Sequence, residues 1–128
     1  MTESERRLLL KDLCARQFYG TKVLGPWEKD GPCELSAIDL ARNKQVRIFE
    51  DWYSIDDVKP YLRPMSSMTE EESKEFATLQ TDFYSDGWLY PIAAANMVNW
   101  LNANHFDYYG LIPMGLALEA PADMYKTE

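Results

Sequence analysis

A chain of 128 residues with 46% hydrophobic and 27% charged residues has the composition of one globular domain. Its 4 Trp, 8 Tyr and 5 Phe argue against disorder, because burying so many rings offsets the entropy of ordering. The formal net charge of -8 works against nucleic acid as a partner, since Arg6, Arg7 and Lys11, or Arg42, Lys44 and Arg47, are short basic groups set among Asp and Glu.

The first segment reads as a helix. Leu9, Leu10, Leu13, Cys14 and Phe18 recur at spacings of three and four, which makes one apolar stripe. Thr2 and Glu5 fit a capping box, and Gly20 ends the pattern. The charged start has only three consecutive leucines, so it is no secretory signal, and no run approaches the length of a membrane span. A cytoplasmic protein with no membrane partner is expected. Cys14 and Cys33 are too few for a disulfide scaffold and read as buried thiols of a reducing compartment, a single bridge between them being the other reading.

From 21 to 63 the pattern changes to short strands between turns at Gly25-Pro26, Asp30-Gly31-Pro32 and Arg42-Asn43-Lys44. "TKVLG" is the first strand. "CELSAIDL" alternates with Cys33, Leu35, Ala37 and Asp39 on one face, and "QVRIFE" sets Val46 and Ile48 against Arg47 and Phe49. Residues 55–58 suit one helical turn, and "KPYLRP" is extended because each proline turns its predecessor away from the helical region. Four strands, a helical turn and a last strand are the order of an SH3-like antiparallel barrel.

Thr69 and Glu72 form a second capping box, with three acidic residues in a first turn where the helix dipole favours them; this helix is expected to stop near Leu79 or Gln80. "TDFYSDGW" then reads as a loop. Another helix is expected from 91 to about 104, with Pro91 at its first position and Ala93, Ala94, Met97, Trp100, Leu101 and His105 as its apolar stripe. Asn96, Asn99 and Asn102 fall on the other side. "GLALEAP" is a final strand or a packed tail. The expected fold is α+β, one domain over 1–128: a helix over 1–19, a small barrel over 20–64, and a helical segment with its tail over 65–128.

The strings "LLLKDLCAR", "DVKPYLRPMSSMTEEE", "WLNANHFDYYGLI" and "GLALEAP" closely resemble an uncharacterised family of short proteins from gut bacteria of the Bacteroides kind and their prophages and phages. The resemblance runs from about 8 to 125 and is weakest over 25–53 and 78–96. It implies an accessory gene of a mobile element and carries no activity, ligand or catalytic residue with it. The family has arginine where this chain has Tyr109.

Chemistry is sparse. His105 is the only histidine, and with two separated cysteines it falls short of the four ligands of structural zinc, so no metal and no cofactor is expected. Neither cysteine stands in a nucleophile elbow, and P-loop and GxGxxG strings are absent, so no catalytic residue is assigned. His105 reads as a helix stop whose cation would face the last carbonyls, with Asp107 fixing its tautomer. The candidate binding residues are Trp52, Tyr53, His105, Asp107, Tyr108 and Tyr109. Trp52 and Tyr53 lie near a loop where such modules hold peptides, or else close the barrel core; Tyr108 and Tyr109 line a groove, or else staple the tail.

The leading expectation is a non-enzymatic interaction protein of a phage or mobile element, acting on a host or phage protein and interfering with defence. The alternatives are a small-ligand binder that holds a nucleotide signal through Arg42, Lys44, Arg47 or Arg63, and a hydrolase using His105 with a carboxylate.

Overall fold

The computed structural model describes residues 1–26, 32–40, 45–49, 51–87 and 91–125, with the backbone alone at 86 and 87. Helix α1 (Glu3–Arg16) starts as its capping box dictates: the Glu5 amide donates to the Thr2 hydroxyl at 3.1 Å, and the Thr2 amide donates to the Glu5 carboxylate at 2.8 Å. Leu9, Leu10 and Leu13 are buried. Phe18 leaves the expected stripe and is 95% exposed. After Arg16 the backbone tightens into a 3-10 turn (Gln17–Tyr19), which rotates Phe18 outward. Gly20 closes that turn at φ +66°, a left-handed conformation that glycine adopts without strain.

Strands β1 (Lys22–Leu24), β2 (Cys33–Asp39), β3 (Gln45–Ile48), β4 (Asp51–Ser54), β5 (Lys59–Leu62) and β6 (Leu118–Glu119) form one open sheet in the order β4-β3-β2-β1-β5-β6. All neighbours are antiparallel except β5 and β6. β4 and β6 are its two edges, and among the described residues no ladder joins them, so the fold is α+β with a sheet that is not closed into a barrel.

Within β2 the register shifts between Leu35 and Ala37. A bulge there moves the inward face by one residue. Cys33 and Leu35 point to the core as alternation requires, but Ile38 rather than Ala37 packs on the core beyond the shift. Val46 and Ile48 are buried and Phe49 is exposed, as expected for β3. A 3-10 turn (Ile55–Asp57) precedes β5, capped by the Ser54 hydroxyl accepting from the Asp56 amide at 3.2 Å. Leu9 and Leu13 of α1 pack with Val23, Val46, Ile48, Ile55, Val58, Leu62, Leu111 and Leu116 on one face of the sheet. Burying one such side chain contributes about 1.5–3 kcal/mol.

Helix α2 (Glu70–Asp82) begins at the expected box of Thr69 and Glu72. It does not stop at 79 or 80, and the expected loop continues helically in a wider π turn (Phe83–Gly87). The two expected turns at 30–32 and 42–44 fall largely outside the described residues. Helix α3 (Pro91–Ala103) follows. No side chain of α2 is fully buried. Its attachment is aromatic. Phe76 stacks on Trp100 with ring centroids 5.7 Å apart, Trp100 stacks on Phe106 at 5.7 Å, and the Arg63 guanidinium lies over the Phe106 ring at 4.3 Å. Arg63 also holds Glu72 with two bonds of 2.7 Å, and Trp100 donates to Glu75 at 3.0 Å. No helix among the described residues is long and apolar enough to cross a membrane.

Candidate functional site

The segment after α3 gathers most of the sequence candidates. His105 has φ +63°, the left-handed turn that ends a helix, and its amide donates to the Asn102 carbonyl at 3.0 Å. Its carbonyl then accepts from the Arg63 amide at 2.7 Å, and the Asp107 amide donates back to the Arg63 carbonyl at 2.8 Å. The chain thus runs beside the end of β5 and carries Phe106 into the interior.

His105 does not serve as a cation at a helix end. Its ring is buried at 8% exposure, its Nδ1 lies 3.0 Å from the Thr21 hydroxyl, and its face stacks on Tyr125 at 3.7 Å between centroids. Burial, with Arg16 and Arg63 nearby, lowers its pKa to about 4, so the ring is neutral. Nor does Asp107 orient it. The Asp107 carboxylate accepts from the amides of Leu111 at 2.8 Å and Ile112 at 2.9 Å, which fixes the turn after Gly110. The expected cation and its tautomer-fixing partner are therefore both replaced by a buried neutral ring and a loop cap.

Under this segment lies an ion pair that periodicity alone did not single out. Arg16 donates to Asp12 through Nε at 2.9 Å and Nη2 at 3.0 Å, and both side chains are 0% exposed. Nη2 also bonds the Phe106 carbonyl, while Nη1 has no partner among the described residues. The guanidinium lies 5.0 Å from the Tyr108 ring centre. Burial pushes the Asp12 carboxyl up and the Arg16 guanidinium pulls it back. The signal was the i,i+4 spacing of Asp12 and Arg16 inside a leucine stripe. Tyr125, by contrast, left no mark in the sequence.

Tyr108 and Tyr109 are half-buried. Tyr108 donates to the Asn102 side chain at 2.7 Å, which explains why Asn102 is buried rather than on a polar face. Tyr109 packs against the core beneath Lys11, whose ammonium is 5.9 Å from the ring centre. Trp52 and Tyr53 are on β4, away from this cluster and on opposite faces. Tyr53 packs on the core, whereas Trp52 is 45% exposed; Phe49, just after β3, is 66% exposed at φ +58°. Of the cations considered for a phosphate, Arg63 is engaged by Glu72, and Arg42 and Lys44 lie outside the described residues. A groove of about 750 Å³ beside Arg63 carries Glu71, Glu72 and Glu119, which oppose an anion. Cys14 is half-buried rather than buried, Cys33 is buried, and the two are not joined. Among the described residues no three His, Cys, Asp or Glu side chains gather as a metal site.

No family model, no curated protein and no solved structure matches the chain.

The cluster has a pH signature. Below its ordinary value of 6.5 an unfolded His105 takes up a proton that the folded ring, with pKa about 4, refuses. Stability is therefore complete above pH 6.5 and falls as the pH drops towards 4. Glu72 is lowered from 4.5 to about 2, chiefly by its bonds to Arg63, so its contribution is present above 4.5 and is lost between 4.5 and 2. In His105→Asn, which tolerates the left-handed backbone, urea midpoints measured against pH should lose the upper decline and keep the lower one. An unchanged upper decline would assign it to another group.

Proposed function

We propose that this chain is a non-enzymatic protein-interaction module that uses the β4 edge of its sheet. The observation that carries the reading is the exposure of Trp52 on that edge strand and of Phe49 just after β3, where the chain turns towards β4, with Phe49 held in a left-handed conformation that a phenylalanine rarely adopts. Exposed rings of this size are the usual anchors of protein interfaces. Asp51, the first residue of β4, is exposed, and the net charge is -8, so a partner with a basic rim around an apolar pocket is complementary.

The strand order β4-β3-β2-β1-β5, with a 3-10 turn before β5, supports the SH3-like comparison for this part of the sheet. The resemblance to short proteins of gut bacteria and their phages supports a host or phage protein as partner, with interference in defence as the role. The hydrolase and nucleotide readings have less support. His105 is stacked and hydrogen-bonded in the interior, and the groove beside Arg63 is acidic.

The test is a pull-down from host lysate with wild-type chain, Trp52→Ser and Phe49→Gly, across ionic strengths. A partner captured by the wild type should bind at least about tenfold more weakly to Trp52→Ser, and binding should decline with salt. Equal capture by all three chains would remove the β4 edge from the reading. No partner at any ionic strength would count against an interaction protein altogether.

A further inference from the structure

The C-terminal tail ends the fold in an unusual way. After β6 the backbone makes a turn in which the Met124 amide donates to the Pro121 carbonyl at 3.0 Å, with Pro121, Ala122 and Asp123 exposed. Tyr125 then returns to the sheet at the seam between β1 and β5. That ladder pairs Leu24 with Lys59 and Val23 with Pro60, so its continuation would pair Lys22 with Tyr61. There the Tyr125 hydroxyl accepts from the Lys22 amide at 2.9 Å and donates to the Tyr61 carbonyl at 2.7 Å. One phenolic oxygen stands where a direct bond between the strands would continue the ladder. The ring above it lies flat on His105, with the planes 15° apart, and His105 is itself held by Thr21.

Every group that receives the ring and hydroxyl of Tyr125 belongs to the body of the fold. Lys22 is in β1, Tyr61 is in β5, and His105 is fixed between Asn102 and Arg63. The demand they make is chemically narrow. A flat ring must stack on a neutral imidazole, and its para substituent must accept one hydrogen bond and donate another. A phenol does both. A benzyl group stacks but makes neither hydrogen bond, and a phosphorylated phenol brings charge and lacks the donor for Tyr61.

We propose that the seam between β1 and β5 is a phenol-binding slot, filled in cis by Tyr125, whose occupant is exchangeable for a tyrosine side chain or another para-alkyl phenol. The strap over 121–125 is then a latch held by one ring, released when a tyrosine-bearing segment takes its place. Burial holds the Tyr125 phenol up to about 12, so the hydroxyl keeps its donor at any ordinary pH. The slot does not depend on the reading of the β4 edge.

The experiment uses full-length Tyr125→Gly, with p-cresol, toluene and p-cresyl phosphate as probes in thermal melts. The variant should melt below wild type. p-Cresol should raise its Tm in a concentration-dependent way, and the other two should not. A toluene effect as large as that of p-cresol, or no effect of p-cresol on the folded variant, overturns the proposal. Should Tyr125→Gly fail to fold, Tyr125→Phe decides: hydrogen exchange at the Lys22 amide should accelerate by about tenfold while the ring stack keeps the fold. Unchanged protection of Lys22 in Tyr125→Phe overturns the slot.

Discussion

Replacing Arg16 by methionine should lower stability by about 3–5 kcal/mol, because the change strips a fully buried carboxylate of its partner. Asp12 receives both of its charged bonds from this one guanidinium, and no surface of either side chain reaches water. The Phe106 carbonyl loses a donor as well. The diagnostic variant is the double change Asp12→Leu with Arg16→Met. It removes both charges and fills much the same volume, so urea unfolding should recover most of the loss, leaving the orphaned carbonyl at about 1–3 kcal/mol. A double variant no more stable than Arg16→Met would mean that the arginine acts through packing on Tyr108 rather than through its charge.

Phe106→Ala should cost about 3–5 kcal/mol and should also undock α2 and α3. Phe106 is fully buried against Trp100 and the Arg63 guanidinium, and that stack continues to Phe76 of α2. Since α2 has no fully buried side chain of its own, the stack, the Arg63–Glu72 pair and the Trp100–Glu75 hydrogen bond hold it. Two readouts follow: the urea midpoint falls, and limited proteolysis finds cleavage sites in α2 and α3 well before global unfolding. Phe106→Leu, which keeps most of the volume, should lose less than half as much. A loss below about 1 kcal/mol for Phe106→Ala would contradict a docking role.

The features legible in the sequence are those set by near neighbours. Both capping boxes are written in residues three apart, and both form as read, because cap bonds need nothing from the rest of the fold. The alternation of Val46 and Ile48 and the extended run before Arg63 were equally plain. The fold departs from the sequence pattern where geometry changes part-way along an element. A helix that tightens after Arg16 turns Phe18 outward, and a one-residue bulge in β2 exchanges Ala37 for Ile38. Neither event alters the local composition. Asp107 was a plausible neighbour for His105 by spacing, yet the left-handed turn at His105 sends the two side chains to different partners. The choice of Tyr125 for the β1–β5 seam joins residues 103 and 64 positions apart, and no local pattern encodes such a choice.

Those long separations bear on how the molecule is made. Arg16 meets the Phe106 carbonyl across 90 positions, Thr21 meets His105 across 84, and Lys22 meets Tyr125 across 103. The first helix and first strand therefore leave the ribosome long before their permanent neighbours exist, with a buried-type ion pair and a leucine stripe still uncovered. Closing such loops is slow, because the chain entropy is lost before the contacts form. During synthesis the segment over 1–24 is a natural client for chaperones, and only the arrival of residues 105–125 covers it.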